Sequence, residues 1–221
     1  MTDFAIFDMD RTVTRHATYT PFLLHCALRR APWRLLLLPF VLLSMLAYVL
    51  KIIDRGRLKE TNHRLLLGRR RRPHELKPLV ESFADRTVQS NVRPGARAAI
   101  ARDKAEGRRV VMATASYRLY AEAIAERLGF DDVIGTGSII GLDERVHAKI
   151  DGENCYGPAK LRMVADWLAR SGIARGHVRF YSDHASDEPV FEWADEPVAV
   201  NPHARLARLA ASRGWAVEDW G

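Results

Sequence analysis

FAIFDMDRT, residues 4–12, is the stretch that decides the fold. Residues 4–7 are apolar, brief and rich in β-formers, which predicts a buried strand. Asp8, Asp10 and Thr12 follow at once, so the acids stand where the strand stops. In open α/β sheets, ligands bind just outside the carboxyl ends of the strands. Two acids at such a place begin either a loop or a site. The rest of the chain distinguishes the two.

From residue 94 onward, helix and strand alternate. Residues 94–106 read as a helix opened by Pro94, whose missing N–H is harmless in a first turn. Residues 109–113 (RVVMA) read as a strand, and 118–128 as a helix stopped by Gly129. Two β-like runs within 132–150, around Gly141-Leu142-Asp143, predict a hairpin. Residues 157–170 read as a helix, 177–181 (HVRFY) as a strand, 187–193 as a short helix and 197–200 as a strand. Such alternation predicts an α/β fold with a mostly parallel sheet. Residues 15–92 differ in character and read as an all-helical insertion. The expected division is a core of residues 1–14 and 93–221 with a cap of residues 15–92.

Four places put polar chemistry just past an apolar strand or at a helix start. They are Asp8 to Thr12, Thr114-Ala115-Ser116, Lys160, and Asp183 to Asp187. In a parallel sheet the strand ends converge on one rim. Taken singly, each has a bland reading. Acids after a strand begin loops, a threonine there caps a helix, a helix lysine is solvated, and Asp183 and Asp187 suit a helix start. Together they describe a phosphate site. Phosphate and carboxylates repel strongly in a low-dielectric site, so a divalent cation is expected between them. Magnesium prefers oxygen ligands. It offsets the repulsion and polarises the phosphoryl oxygen. Lys160 adds a point charge for phosphate. Thr114 and nearby backbone N–H groups add donors.

In these segments the chain resembles the haloacid dehalogenase superfamily. Asp8, Asp10 and Thr12 match its DxDxT motif, and Thr114 matches the Thr or Ser that ends the next core strand. Lys160, in NCYGPAK (154–160), matches the helix lysine; Asp183 and Asp187 match the final DxxxD. The resemblance implies a Rossmann-like parallel-sheet core with a helical C1 cap, and a Mg2+-dependent phosphomonoester hydrolase. Asp8 would attack phosphorus and form an acyl phosphate. Asp10 would protonate the leaving alkoxide and then activate water. Asp8, the backbone carbonyl of Asp10, and Asp183 would bind magnesium, supported by Thr12 and Asp187. Thr114, Ala115 and Lys160 would bind phosphate. Ser116 either joins them or caps the 118–128 helix, and His184 faces either the pocket or solvent.

An insertion between the first two motifs resembles the C1-capped subfamily IB, which is phosphoserine-phosphatase-like. Two positions depart from phosphoserine phosphatases. Ala17 stands where they carry the glutamate that meets the substrate amine, and Ala115-Ser116 replaces two glycines.

The 221 residues carry net charge +7, with 48% hydrophobic and 28% charged residues, which excludes wholesale disorder. Two distant cysteines, Cys26 and Cys155, exclude a disulfide scaffold and suit a reducing cytoplasm. Residues 1–4 have no basic region before an apolar run and do not read as a signal peptide. The basic balance suits a solvated surface or an anionic partner. No nucleic acid is expected, because the arginine block 69–72 lacks interleaved aromatics or a groove-reading motif. Residues 35–50 (LLLLPFVLLSMLAYVL) form a long apolar run interrupted by Pro39. As a helix it would be about 24 Å long, against the roughly 20 residues of a spanning helix. It is buried in the cap, lies in a membrane interface, or spans. The expected substrate is therefore a small-molecule or lipid phosphate. A lipid substrate such as phosphatidylglycerol phosphate would bring peripheral contact with an anionic membrane.

Overall fold

β1 (Thr2–Phe7) runs through the middle of the sheet, and the computed structural model describes the whole chain, residues 1–221, around it. β1 lies parallel to β3 (Arg109–Tyr117) on one side and to β6 (Arg175–Ser182) on the other. Its continuous apolar run follows from burial on both faces. Phe4 and Ile6 pack with Val111, Val178 and Phe180. Ala5 and Phe7 pack on the opposite face with Val110, Tyr181 and Trp220.

Beyond β3 come β4 (Asp132–Ile140), parallel, and β5 (Val146–Asp151), antiparallel, which together make the expected hairpin. Beyond β6 come β7 (Glu196–Val200) and β8 (Ala216–Glu218), both parallel. With β2 (Arg70–Arg71) outside β5, the order is β2-β5-β4-β3-β1-β6-β7-β8. Strand order reverses at β1, which makes its carboxyl end the switch point where α/β sheets bind ligands.

The insertion carries α1 (Tyr19–Arg30), α2 (Leu38–Val49), α3 (Arg55–Leu66) and α4 (Pro73–Ser90). One short departure from an all-helical insertion is β2, which pairs with β5. The chain leaves the core at Thr14 and returns at Val92, where the two meet in an antiparallel bridge. Arg15 donates to the Asn91 carbonyl (2.7 Å) and Arg93 to that of Val13 (3.0 Å). The remaining helices are α5 (Pro94–Ala105), α6 (Arg118–Leu128), α7 (Pro158–Ser171), α8 (Glu188–Trp193) and α9 (Ala204–Arg213).

Four features differ from the sequence reading. β2 and β8 are too short to show alternation. α9 turns only Leu206 and Ala210 fully inward, a thin stripe. β3 continues to Tyr117 with a register shift between Thr114 and Tyr117, so the second motif sits on an irregular strand end, not past it. Finally, residues 35–50 are not one helix buried in the cap. Pro32–Leu37 is a tight helical turn and Pro39 opens α2 in its first turn. Only Val41 and Ser44 of α2 are buried, so the buried-helix reading fails.

Candidate active site

Asp8 follows the last residue of β1, and its N–H still donates to the Tyr181 carbonyl (2.9 Å). The chain then makes a wide turn over Met9–Val13, closed by Thr14 N–H on the Met9 carbonyl (2.9 Å). Arg11 takes a left-handed conformation there, with φ 67°. Wide helical turns of this kind gather at functional sites. This one folds Thr12 back over the strand end. Its hydroxyl lies 3.3 Å from Asp8 Oδ2 and 3.1 Å from Asp183 Oδ1, and accepts the Asp183 amide (2.9 Å). One hydroxyl therefore ties the first motif to the fourth.

Lys160 enters from the first turn of α7, after Gly157 (φ 59°) and Pro158. Its buried ammonium lies 2.7 Å from Asp8 Oδ1 and 2.5 Å from Asp187 Oδ2. Ser182 donates a further bond to Asp187 Oδ2 (2.8 Å). Burial opposes the charge on Lys160, but Asp187 and Asp8 outweigh it and hold the pKa well above the ordinary lysine value. Burial pushes the Asp8 carboxyl up to about 7. Lys160 counters that rise, while Asp187 and Asp183 add to it. Burial likewise raises Asp183, which His203 eases from 3.6 Å.

Asp10 is held differently. The Thr18 amide and hydroxyl both donate to its Oδ1 (2.7 Å each), and Ser116 donates to Oδ2 (2.6 Å). Tyr120 donates in turn to Ser116 (2.7 Å). Thr18 directly precedes α1 and Ser116 lies on β3, so insertion and core jointly orient Asp10.

These groups face a cavity of about 420 Å³. Asp8, Asp10, Ala115, Ser116, Lys160, Asp183 and Asp187 line it, and so does His184. Thr12 and Thr114 do not, and both are fully buried. The Thr114 hydroxyl accepts the Ser116 amide (3.0 Å), leaving its own hydrogen to donate. Ser116 does not cap α6, because its hydroxyl is committed to Asp10.

The opposite wall comes from the insertion, and sequence reasoning missed its members. Lys59 of α3 is buried and donates to the Ala115 carbonyl and to Asn154 Oδ1 (2.6 Å). Burial, then Arg55, lowers its pKa to about 7. Thr136 fixes the same two acceptors, at 2.7 and 3.0 Å. The Arg55 guanidinium stacks over Tyr156 at 4.0 Å. In the sequence Lys59 closes a run of basic residues (51, 55, 57, 59) that looks like a solvated face. Nothing local marks which one turns inward.

The donor set fits a divalent cation. Asp8 and Asp187 contact the buried Lys160 ammonium, and Asp183 is a third buried carboxylate lining the same cavity. Asp187 Oδ1 is buried without a hydrogen-bond partner. Hard oxygen donors are what magnesium prefers.

Residues 5–192 match the family model of the haloacid dehalogenase-like hydrolases. The chain belongs to that family. Within it, the chain is 30% identical over 170 residues to phosphoserine phosphatase SerB1 of Mycobacterium tuberculosis, covering 73% of this chain and 55% of that one. It is 32% identical over 193 residues to protein CicA of Caulobacter vibrioides, covering 86% and 82%. A solved structure of a protein of unknown function from Bordetella pertussis Tohama I superposes with TM-score 0.89, at 25% identity and full coverage of both chains. The chain spans about half the length of most curated relatives it matches. Phosphatases of this family generally use Mg2+.

Proposed function

We propose that this chain is a phosphomonoester hydrolase that works through an aspartyl-phosphate on Asp8. The observation that carries the reading is the placement of Asp8. Its carboxylate ends the central strand, faces the cavity, and sits 2.7 Å from a buried lysine. A relative named as a phosphoserine phosphatase supports the same chemistry.

An Asp8 oxygen attacks phosphorus as the ester P–O bond breaks. Asp10 gives its proton to the leaving oxygen. Asp10 then takes a proton from water, the water oxygen attacks phosphorus, and the Asp8–phosphorus bond breaks to release phosphate. Covalent catalysis of this kind splits one hard step into two. Asp8 and Asp183, with the Asp10 carbonyl, would hold magnesium, and Thr12 and Asp187 would keep those acids in place. Bound there, magnesium supplies positive charge that offsets acid–phosphate repulsion. Lys160 and the Ala115 backbone would steady the phosphoryl group, and the buried Thr114 hydroxyl, behind the lining, holds the Ser116 amide. Phosphoryl transfer asks mainly for such positioning and electrostatics.

Pocket chemistry also bears on the leaving group. Ala17 offers no carboxylate to an amine, and the lining acids are only Asp8, Asp10, Asp183 and Asp187. Arg11, Arg55 and Lys59 line the same space. A neutral or anionic leaving group suits this wall better than phosphoserine does. A lipid phosphate is favoured by one further observation: Met45 and Tyr48 of the apolar α2 line the cavity. Cys26 and Cys155 are both free and buried, in keeping with a reducing cytoplasm.

Asp8→Asn is the direct test. It should abolish magnesium-dependent turnover of p-nitrophenyl phosphate and the hydroxylamine-labile phosphate on the protein, with the circular dichroism unchanged. Undiminished turnover in that variant would refute the nucleophile.

A further inference from the structure

The segment between α1 and α3 presents an apolar face that nothing in the molecule covers. Trp33, Leu36, Phe40, Leu43, Leu46 and Val49 are each more than half exposed. Scattered apolar residues on a surface are ordinary. A contiguous face of six large ones is not, and such faces mark interaction sites. The stretch Pro32–Val49 has mean hydropathy 1.7 and is 6% buried. Length and composition alone would let it cross a membrane.

Charge narrows the choice of partner. No Asp or Glu occurs between Asp10 and Asp54. At the start of the apolar face, Arg34 lies with its guanidinium over Trp33 (4.8 Å). The same Arg34 lines a cleft of about 570 Å³ with Arg64, Gly68, Arg69, Arg70 and Arg71, and no acid lines it. Arg70 has one partner at the rim, Asp143 at 3.5 Å. Arg34 Nε is buried without any partner. Lys51 closes the other end of the face. An apolar face continuous with a cationic cleft is the chemistry of a helix lying in an anionic lipid interface.

The inner side of α2 argues against a span. Val41 and Ser44 are buried, and Ser44 donates to Asn62 Oδ1 of α3 (2.7 Å). The helix is thus tied along the body of the protein with one face outward.

We propose that the outer face of residues 32–52, with the arginine cleft beside it, docks the protein onto an anionic bilayer surface. Because Met45 and Tyr48 line the catalytic cavity, docking sets that cavity beside the headgroup layer. This last clause rests on the phosphatase reading, whereas the docking itself does not.

Flotation of the full chain tests it, using vesicles of phosphatidylcholine alone and of equimolar phosphatidylcholine and phosphatidylglycerol. The protein should float with the anionic vesicles only, and high salt should weaken it. The summed tryptophan emission, to which exposed Trp33 contributes one of five, should shift to the blue on binding. Leu43→Glu with Leu46→Glu should abolish flotation and leave p-nitrophenyl phosphate turnover unchanged. Failure of the wild type to float overturns the proposal. So does binding that survives alkaline carbonate, which would show a span. A dimer that the double variant dissociates also overturns it, by showing a second copy on this face. Tighter binding to RNA than to anionic vesicles would overturn it too. Flotation reads no catalysis and the soluble ester needs no membrane, so the two readings fail separately.

Discussion

Lys160 balances the charge of the site. Its ammonium is the one cation in contact with Asp8 and Asp187, and all three side chains are buried. Removing one partner of a buried ion pair leaves the other charge uncompensated. Lys160→Ala should therefore cost about 3–5 kcal/mol of stability, read by urea denaturation without magnesium. Asp10 makes a different kind of prediction. In the proposed acid role, its proton would matter most when the leaving group is a poor one. Asp10→Asn should slow an alkyl phosphate roughly a hundred- to ten-thousand-fold. It should slow the first step with p-nitrophenyl phosphate far less, since p-nitrophenolate leaves unprotonated. Equal losses on both esters in single-turnover kinetics would remove Asp10 from the acid role. The sequence names both residues by motif and order. It does not show that Lys160 is fully enclosed or that Ser116 aims Asp10, because Lys160–Asp8 and Ser116–Asp10 join residues 152 and 106 positions apart, and the nearer Thr18–Asp10 contact depends on how the turn after β1 folds back.

At the scale of elements, α3 carries the least expected pieces. Lys59 faces the catalytic cavity, and His63 is buried with both ring nitrogens unpartnered, its edge against Tyr117 at 5.3 Å. Burial, then the neighbouring Arg71, pushes the His63 pKa down to about 4 from an ordinary 6.5. Between those values the unfolded chain binds the proton and the folded chain does not. Stability is thus fully present above pH 6.5 and lost as pH falls toward 4. The size of that loss is on the order of 3 kcal/mol. His63→Leu should flatten the acid limb of a Tm–pH profile across this window. An unchanged acid limb would show that His63 is not responsible. α2 shows the opposite lesson. Its apolar run is legible at once in the sequence, but which face meets protein and which is left bare follows only from how α3 packs on it.

Across the whole molecule, insertion and core are not separate bodies. One apolar cluster joins Phe22 of α1, Phe83 and Ala84 of α4, and Tyr120 and Ile124 of α6. Phe83 meets Phe22 and Tyr120 edge-on, with ring centroids 5.3 and 5.6 Å away. Such a shared core should unfold in one step. Phe83→Ala should destabilise by about 3–5 kcal/mol, and far-UV circular dichroism and tryptophan fluorescence should report a single shifted transition. Two separated transitions would show that the insertion unfolds alone.

The sequence by itself determined the parallel α/β core and named the four segments that meet at one rim of it. Those depend on local periodicity and on residue types at the ends of buried strands, which neighbouring residues suffice to reveal. The tertiary structure decided what meets across the chain. It left Thr114 fully buried behind the cavity lining, drove Lys59 inward, and left the outer side of α2 uncovered. Each of these outcomes is set by burial and long-range packing, and a linear pattern of charges and apolar residues carries no record of which surface another element will cover.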